Sequence, residues 1–203
     1  LNTVDAYFQA GIYQTALIIG VETLSKLIDW SDRSTCVLFG DGAGAAVAKA
    51  SEEGMIASLQ GSDGSGGDIL VCRGRASDNP CIHTGTELDY LFMDGQEVFK
   101  FAVKKEPECI QALLQQAGMQ PADVDYYLLH QANYRIIASI ARKLKLPLEK
   151  FPSNVSHCGN TSAASIPILL DEVNKKGMLP KDSLILLSGF GAGLTWGAAL
   201  LKW

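Results

Sequence analysis

Paired cysteines are missing from this 203-residue chain. Its five, Cys36, Cys72, Cys81, Cys109 and Cys158, are odd in number and include no Cys-x-x-Cys, so neither a disulfide framework nor a zinc site is indicated. A reducing cytosol is the compartment expected, and no metal ligands are assigned. No apolar run approaches the roughly 20 residues that cross a bilayer. The opening Leu1-Asn2-Thr3-Val4-Asp5 lacks a basic leader and an initiator methionine, so neither membrane nor export is expected, and the start reads as cut. A basic excess is missing too: 22 acidic side chains stand against 17 basic ones, a net charge of −5. That argues against nucleic acid as a partner. What is present, 47% hydrophobic and 19% charged residues, is the composition of a folded globular chain long enough to bury a core.

Periodicity predicts an α/β organisation. Residues 4–13 read as a helix leading into a buried strand at 16–21. Residues 36–39, the turn Gly40-Asp41-Gly42-Ala43-Gly44 and residues 45–50 read as strand, glycine turn, strand. Gly61 to Asp68, GSDGSGGD, is the most loop-like stretch. A long helix is expected over 97–116, kinked or ended by Pro107, which lacks the N–H that a helix interior uses. There follow a strand at 126–129, a helix at 134–144, a loop to Asn160, a helix over 162–176, a strand at 184–187, and a closing glycine turn and strand. Leu38-Phe39-Gly40-Asp41-Gly42-Ala43-Gly44 is echoed by Leu187-Ser188-Gly189-Phe190-Gly191-Ala192-Gly193. A repeat of this kind predicts two related α/β halves, the first begun before Leu1.

The glycine turns do not fit a nucleotide site. A dinucleotide fingerprint needs a third glycine and a helix directly behind it, and no Gly-Lys-Ser/Thr occurs. Backbone N–H groups at Phe190-Gly191-Ala192-Gly193 suit an oxyanion better. His130 ends the apolar run 126–129 just before a helix, the place where open α/β sheets gather their active sites. Asn160 lies in the loop Cys158-Gly159-Asn160-Thr161-Ser162, with Thr161 or Ser162 available to cap the next helix. A neutral imidazole and a carboxamide each offer an N–H, so together they can hold one carbonyl oxygen as it gains charge.

LLHQANYRII, SHCGNTSAASIP and LLSGFGAGLTWGAAL, with RSTCVLFGDGAGAAV and YLFMDGQEVFKFAV ahead of them, resemble the 3-oxoacyl-[acyl-carrier-protein] synthase III family of the thiolase superfamily. The resemblance runs almost end to end. It implies a thiolase-like five-layered αβαβα fold of two duplicated halves. The first half would be truncated, with residues 1–85 its remainder and 86–203 the second half. It also implies an initiating condensing enzyme of type II fatty-acid synthesis, an acyltransferase that joins an acyl-coenzyme A primer to malonyl-carrier protein by decarboxylative Claisen condensation. No resident cofactor is implied, coenzyme A entering as a thioester substrate. Homodimers are usual.

By that resemblance His130 and Asn160 stabilise the enolate and the Ala192 N–H serves a second oxyanion hole, where glycine is more usual. Arg33 meets the nucleotide end of coenzyme A, Asn133 lies near the pantetheine arm, and Phe190 packs by the catalytic sulfur. Leu24, Leu38, Phe39, Met93 and Phe99 surround the acyl end. Acidic carrier protein would dock on Lys100, Gln131, Ala132, Asn133, Tyr134, Arg135, Arg142 and Lys143. The family's nucleophilic cysteine falls ahead of Leu1, and none of the five present occupies its block, so the chain alone is expected to be inactive. The competing readings are a related quinolone or polyketide starter enzyme, and a non-catalytic module that binds coenzyme A or carrier protein.

Overall fold

The computed structural model describes residues 1–72, 81 and 89–203. In chain order the elements are α1 (Asn2–Gln9), β1 (Thr15–Glu22), β2 (Gly42–Lys49), β3 (Met55–Ser62), β4 (Leu70–Val71), β5 (Phe92–Met93), α2 (Gly95–Gln116), β6 (Tyr126–Leu129), α3 (Tyr134–Leu144), α4 (Val155–Cys158), α5 (Ser165–Lys175), β7 (Leu184–Gly191) and β8 (Thr195–Lys202). None of these helices is long and apolar enough to cross a membrane.

The central sheet runs β3-β8-β7-β6, with β6 parallel to β7 and the other pairs antiparallel. Side chains alternate across it, as strand geometry requires. Tyr127, Leu129 and Leu186 face Ile110 and Leu113 of α2 and Ile137 and Ile140 of α3, while Leu128 and Ile185 face Leu169 and Val173 of α5. Both faces are therefore buried, which is why the strands read as continuous apolar runs. The far side of α5 packs on β2, which pairs with β1 over their whole lengths. The described residues thus stack as α2 and α3, the central sheet, α5, and the β1–β2 ribbon, four of the five layers expected. The outer face of that ribbon is apolar and open, Leu17, Ile19, Val21 and Val47 being 62%, 59%, 62% and 74% exposed.

Several expectations need correcting. Residues 36–38 form turns and Phe39 a single bridge to Asn160, not a strand, because the backbone of Leu38 and Gly40 is spent on the Asn160 loop; only the second glycine segment closes a hairpin, β7 to β8. The first helix ends at Gln9, short of residue 13. Pro107 does not end α2, which continues to Gln116 with the proline buried in it. The loop-like GSDGSGGD contributes its first two residues to β3 and most of the rest to a 3-10 turn over Gly64–Ile69, capped by Asp63. β3 lies within residues 1–85 yet forms the edge of the sheet built by the later part of the chain. Pairing with β8 is a long-range event that local pattern does not carry. The division expected between residues 85 and 86 lies outside the described residues.

Candidate active site

His130 is set by strand pairing. β6 stops at Leu129, and the His130 N–H donates to Ser188 O at 2.8 Å, carrying the β6–β7 pairing one residue further. The ring packs edge-on against Phe190, centroids 5.6 Å apart. Burial pushes its pKa down to about 4, since an apolar surrounding disfavours the charged form, so the imidazole is neutral at pH 7. Its Nδ1 lies 2.6 Å from Ser165 Oγ, and the Gln131 N–H donates to the same Oγ at 3.5 Å. Ser165 is 2% exposed, and among the described residues Nδ1 is the only acceptor within reach of its hydroxyl proton, while the Gln131 N–H takes one of its lone pairs; with Nδ1 accepting, the imidazole proton lies on Nε2. His130 is thereby a neutral donor.

Asn160 is set by the turn backbone. Its N–H donates to Leu38 O at 2.8 Å and its O accepts from Gly40 N–H at 2.9 Å, the bridge recorded between Phe39 and Asn160. The fit requires glycine at 40, because a Cβ there would stand 2.3 Å from Cys158 O. The Asn160 Oδ1 accepts from Ser162 N–H at 2.9 Å, leaving Nδ2 as the end of the amide that can donate outward. The Asn160 side chain thus serves the 3-10 turn Ser162–Ala164 that leads into α5; Thr161 at the turn's N-cap position makes no side-chain cap bond, its hydroxyl buried with no partner, and Ser162 caps neither helix.

A cavity of about 1060 Å³ joins these residues. His130, Asn160, Ala132, Asn133, Phe190 and Ala192 line it. So do Leu24, Leu38, Phe39, Met93 and Phe99, while Gly20, Ala46 and Pro167 close it on the side of the β1–β2 ribbon and α5. No cysteine lines it among the described residues. Cys158 is not a thiolate in waiting: burial and the Glu172 carboxylate both raise its pKa.

Arg33 is exposed on its turn, and Lys100, Tyr134, Arg135, Arg142 and Lys143 are exposed along α2 and α3. Lys100 pairs with Glu97 at 2.7 Å. Gln131 is the exception and a correction. It is 0% exposed, donating from Nε2 to Leu129 O while its Oε1 accepts from Ser153 Oγ and Asn154 N–H. A side chain so enclosed cannot touch a docked protein; it ties the His130 turn to the segment ahead of α4. Sequence reasoning also missed Ser165, whose only signal was its place five residues after Asn160, at the start of α5.

Comparison with known proteins settles the family. Residues 1–64 match the model for 3-oxoacyl-[acyl-carrier-protein (ACP)] synthase III and residues 114–203 match the model for the C terminal of the same synthase. The chain belongs to the 3-oxoacyl-[acyl-carrier-protein] synthase III family. It is 47% identical over 205 residues to a beta-ketoacyl-[acyl-carrier-protein] synthase III of Clostridium acetobutylicum, covering 100% of this chain and 63% of that one. A homologue from Clostridium novyi is 49% identical with the same coverage. The crystal structure of 3-oxoacyl-[acyl-carrier-protein] synthase III from Aquifex aeolicus VF5 superposes with a TM-score of 0.90 at 42% identity, over 100% of this chain and 62% of that one. The synthase III fold here is thus thiolase-like, and the chain spans less than two thirds of the length of these relatives.

Proposed function

We propose that this chain carries the decarboxylation site of an initiating condensing enzyme, an acyltransferase that joins an acyl-coenzyme A primer to malonyl-carrier protein. The observation that carries the reading is that His130 and Asn160 line one cavity with Nδ1 held by Ser165 and Oδ1 by Ser162, which leaves the Nε2 and Nδ2 ends of two neutral side chains to donate. As carbon dioxide leaves the malonyl thioester, negative charge gathers on the thioester oxygen. Two uncharged N–H groups out of water stabilise that charge without holding the reactant carboxylate as an imidazolium would. The enolate carbon then attacks an acyl-cysteine, the thiolate leaves, and 3-oxoacyl-carrier protein results. That cysteine is not one of the five in this chain, since none lines the cavity among the described residues. The active enzyme requires it from outside these 203 residues.

The remaining assignments rest on the family resemblance, supported for the cavity residues by their place in its lining. Ala192 lines the cavity near Phe190, where its N–H serves the second oxyanion. Leu24, Leu38, Phe39, Met93 and Phe99 form the apolar wall for the acyl end, and Asn133 borders the pantetheine arm. Arg33 serves the nucleotide of coenzyme A. Lys100, Tyr134, Arg135, Arg142 and Lys143, with Ala132 and Asn133 at the cavity mouth, form the docking face for an acidic carrier protein. A homodimer in the cytosol completes the proposal.

The test is to join the chain to the amino-terminal third of a full-length relative and assay acyl transfer and malonyl-carrier-protein decarboxylation. Thiol-dependent condensation in the joined protein, absent from the 203 residues alone, supports the reading. Binding of coenzyme A or carrier protein with no turnover overturns it in favour of a binding module.

A further inference from the structure

A second polar cluster lies outside the cavity, on the side of the Asn160 loop that faces α5. His157 Nε2 is 3.3 Å and Cys158 Sγ 3.8 Å from the same atom, Glu172 Oε1, and the three donor atoms all lie within 4.8 Å of one another. We propose that His157, Cys158 and Glu172 bind a divalent cation of the zinc class. Bond lengths of about 2.0–2.1 Å to nitrogen and oxygen and about 2.3 Å to sulfur put tetrahedral ligand atoms about 3.3 Å (N to O) and 3.6 Å (S to O or N) apart. Two of the three separations are already close to those values, and the donor set, one imidazole, one thiolate and one carboxylate, is the mixture that a borderline-soft ion takes, the Cys158 thiol giving up its proton to solvent as the metal binds.

The surroundings fit a cation as well. Glu172 is only 24% exposed, and its other oxygen lies 3.6 Å from Lys176 Nζ, so Oε1, the atom that His157 and Cys158 both approach, is the oxygen a metal would take. Asn154, 1% exposed, donates from Nδ2 to Oε1 at 3.0 Å, while its Oδ1 is buried without a partner. A half-turn of that amide exchanges the two ends and brings the orphaned oxygen up to the carboxylate. An oxygen there is repelled by Oε1 alone and welcomed once a cation sits between them, giving a fourth ligand. Cysteine spacing does not find this site, because two ligands are neighbours at the end of α4 and the third comes from α5, 14 residues beyond Cys158. Asn160 follows Cys158 by two residues, so a filled site would pin the approach to the donor loop.

Cobalt titration of the purified protein reads the site directly. Co²⁺ is expected to raise a thiolate-to-metal charge-transfer band with visible bands of tetrahedral intensity, both displaced by one equivalent of Zn²⁺. Cys158→Ser should abolish the charge-transfer band, and Glu172→Gln and His157→Gln should each weaken binding at least tenfold. Cys72→Ser, at an exposed cysteine elsewhere, should leave it unchanged. In parallel, Zn²⁺ should raise the Tm of the parent protein and not of Cys158→Ser. No charge-transfer band, or one that survives Cys158→Ser, overturns the proposal.

Discussion

Ser165 Oγ meets His130 Nδ1 at 2.6 Å, and the hydroxyl decides which imidazole nitrogen keeps the proton. Ser165 is fixed in turn by its position as the first residue of α5 and is 2% exposed. Ser165→Ala leaves Nδ1 without its donor and frees the opposite tautomer. In the condensing enzyme this should slow malonyl decarboxylation about tenfold, ~1.4 kcal/mol of barrier, with primer loading unchanged. Steady-state rates of the two half-reactions measure it.

Charge on the proposed docking face predicts a selective loss. Arg135 and Arg142 are seven apart on α3, on one exposed side. Replacing both by glutamate should raise the KM for malonyl-carrier protein about tenfold, with the effect fading at high salt. The KM for acyl-coenzyme A should not move. Parallel rises in both KM values would remove the docking assignment.

Glu106 predicts a pH-dependent stability. It is 1% exposed in α2, and burial pushes its carboxyl up to about 8 from 4.5, a nearby Ser188 hydroxyl offsetting only part. Neither oxygen has a partner at hydrogen-bond geometry. The folded chain therefore keeps a proton that the unfolded chain releases, and stability drains away as pH rises from about 4.5 to about 8. His130 works in the other direction, since its folded pKa of about 4 lies below the ordinary 6.5 and costs stability as pH falls through that window. Glu106→Gln should gain on the order of 3 kcal/mol over the parent at pH 8 relative to pH 5. Urea unfolding at the two pH values measures the difference, and an equal gap at both would contradict the buried neutral carboxyl.

The contact between β1 and the α5 approach predicts a steric penalty. A Cβ at Gly20 would stand 2.3 Å from Ala163 O. Gly20→Ala should therefore cost about 1–3 kcal/mol. Gly64, with nothing within 4 Å of a built Cβ, should accept alanine with little change. Thermal unfolding of the pair provides the comparison.

Much of this was legible in the residues themselves. β6 and α3 fall at 126–129 and 134–144 as expected, because a continuous apolar run and an amphipathic stretch are local signals. The position of His130 at a strand end follows from the same run. Residues 36–39 were misread because their apolar side chains serve a turn held by Asn160, and that partner is more than 100 positions away. Gln131 was misplaced for a like reason. Its motif carries the family resemblance, while its enclosure by Ser153 and Asn154 depends on how the chain returns. The tautomer of His130 depends on the Ser165 hydroxyl, 35 positions along the chain, a pairing that no local pattern carries.

The central claim is that His130 and Asn160 hold enolate charge and do nothing for the primer. Its most direct test is carbon dioxide release from malonyl-carrier protein beside acyl-coenzyme A loading of the cysteine, in the full-length condensing enzyme. His130→Ala and Asn160→Ala should each lower release by about 10²–10³, the usual loss for one oxyanion donor, and leave loading within threefold. Loading that falls as far as release would contradict the account.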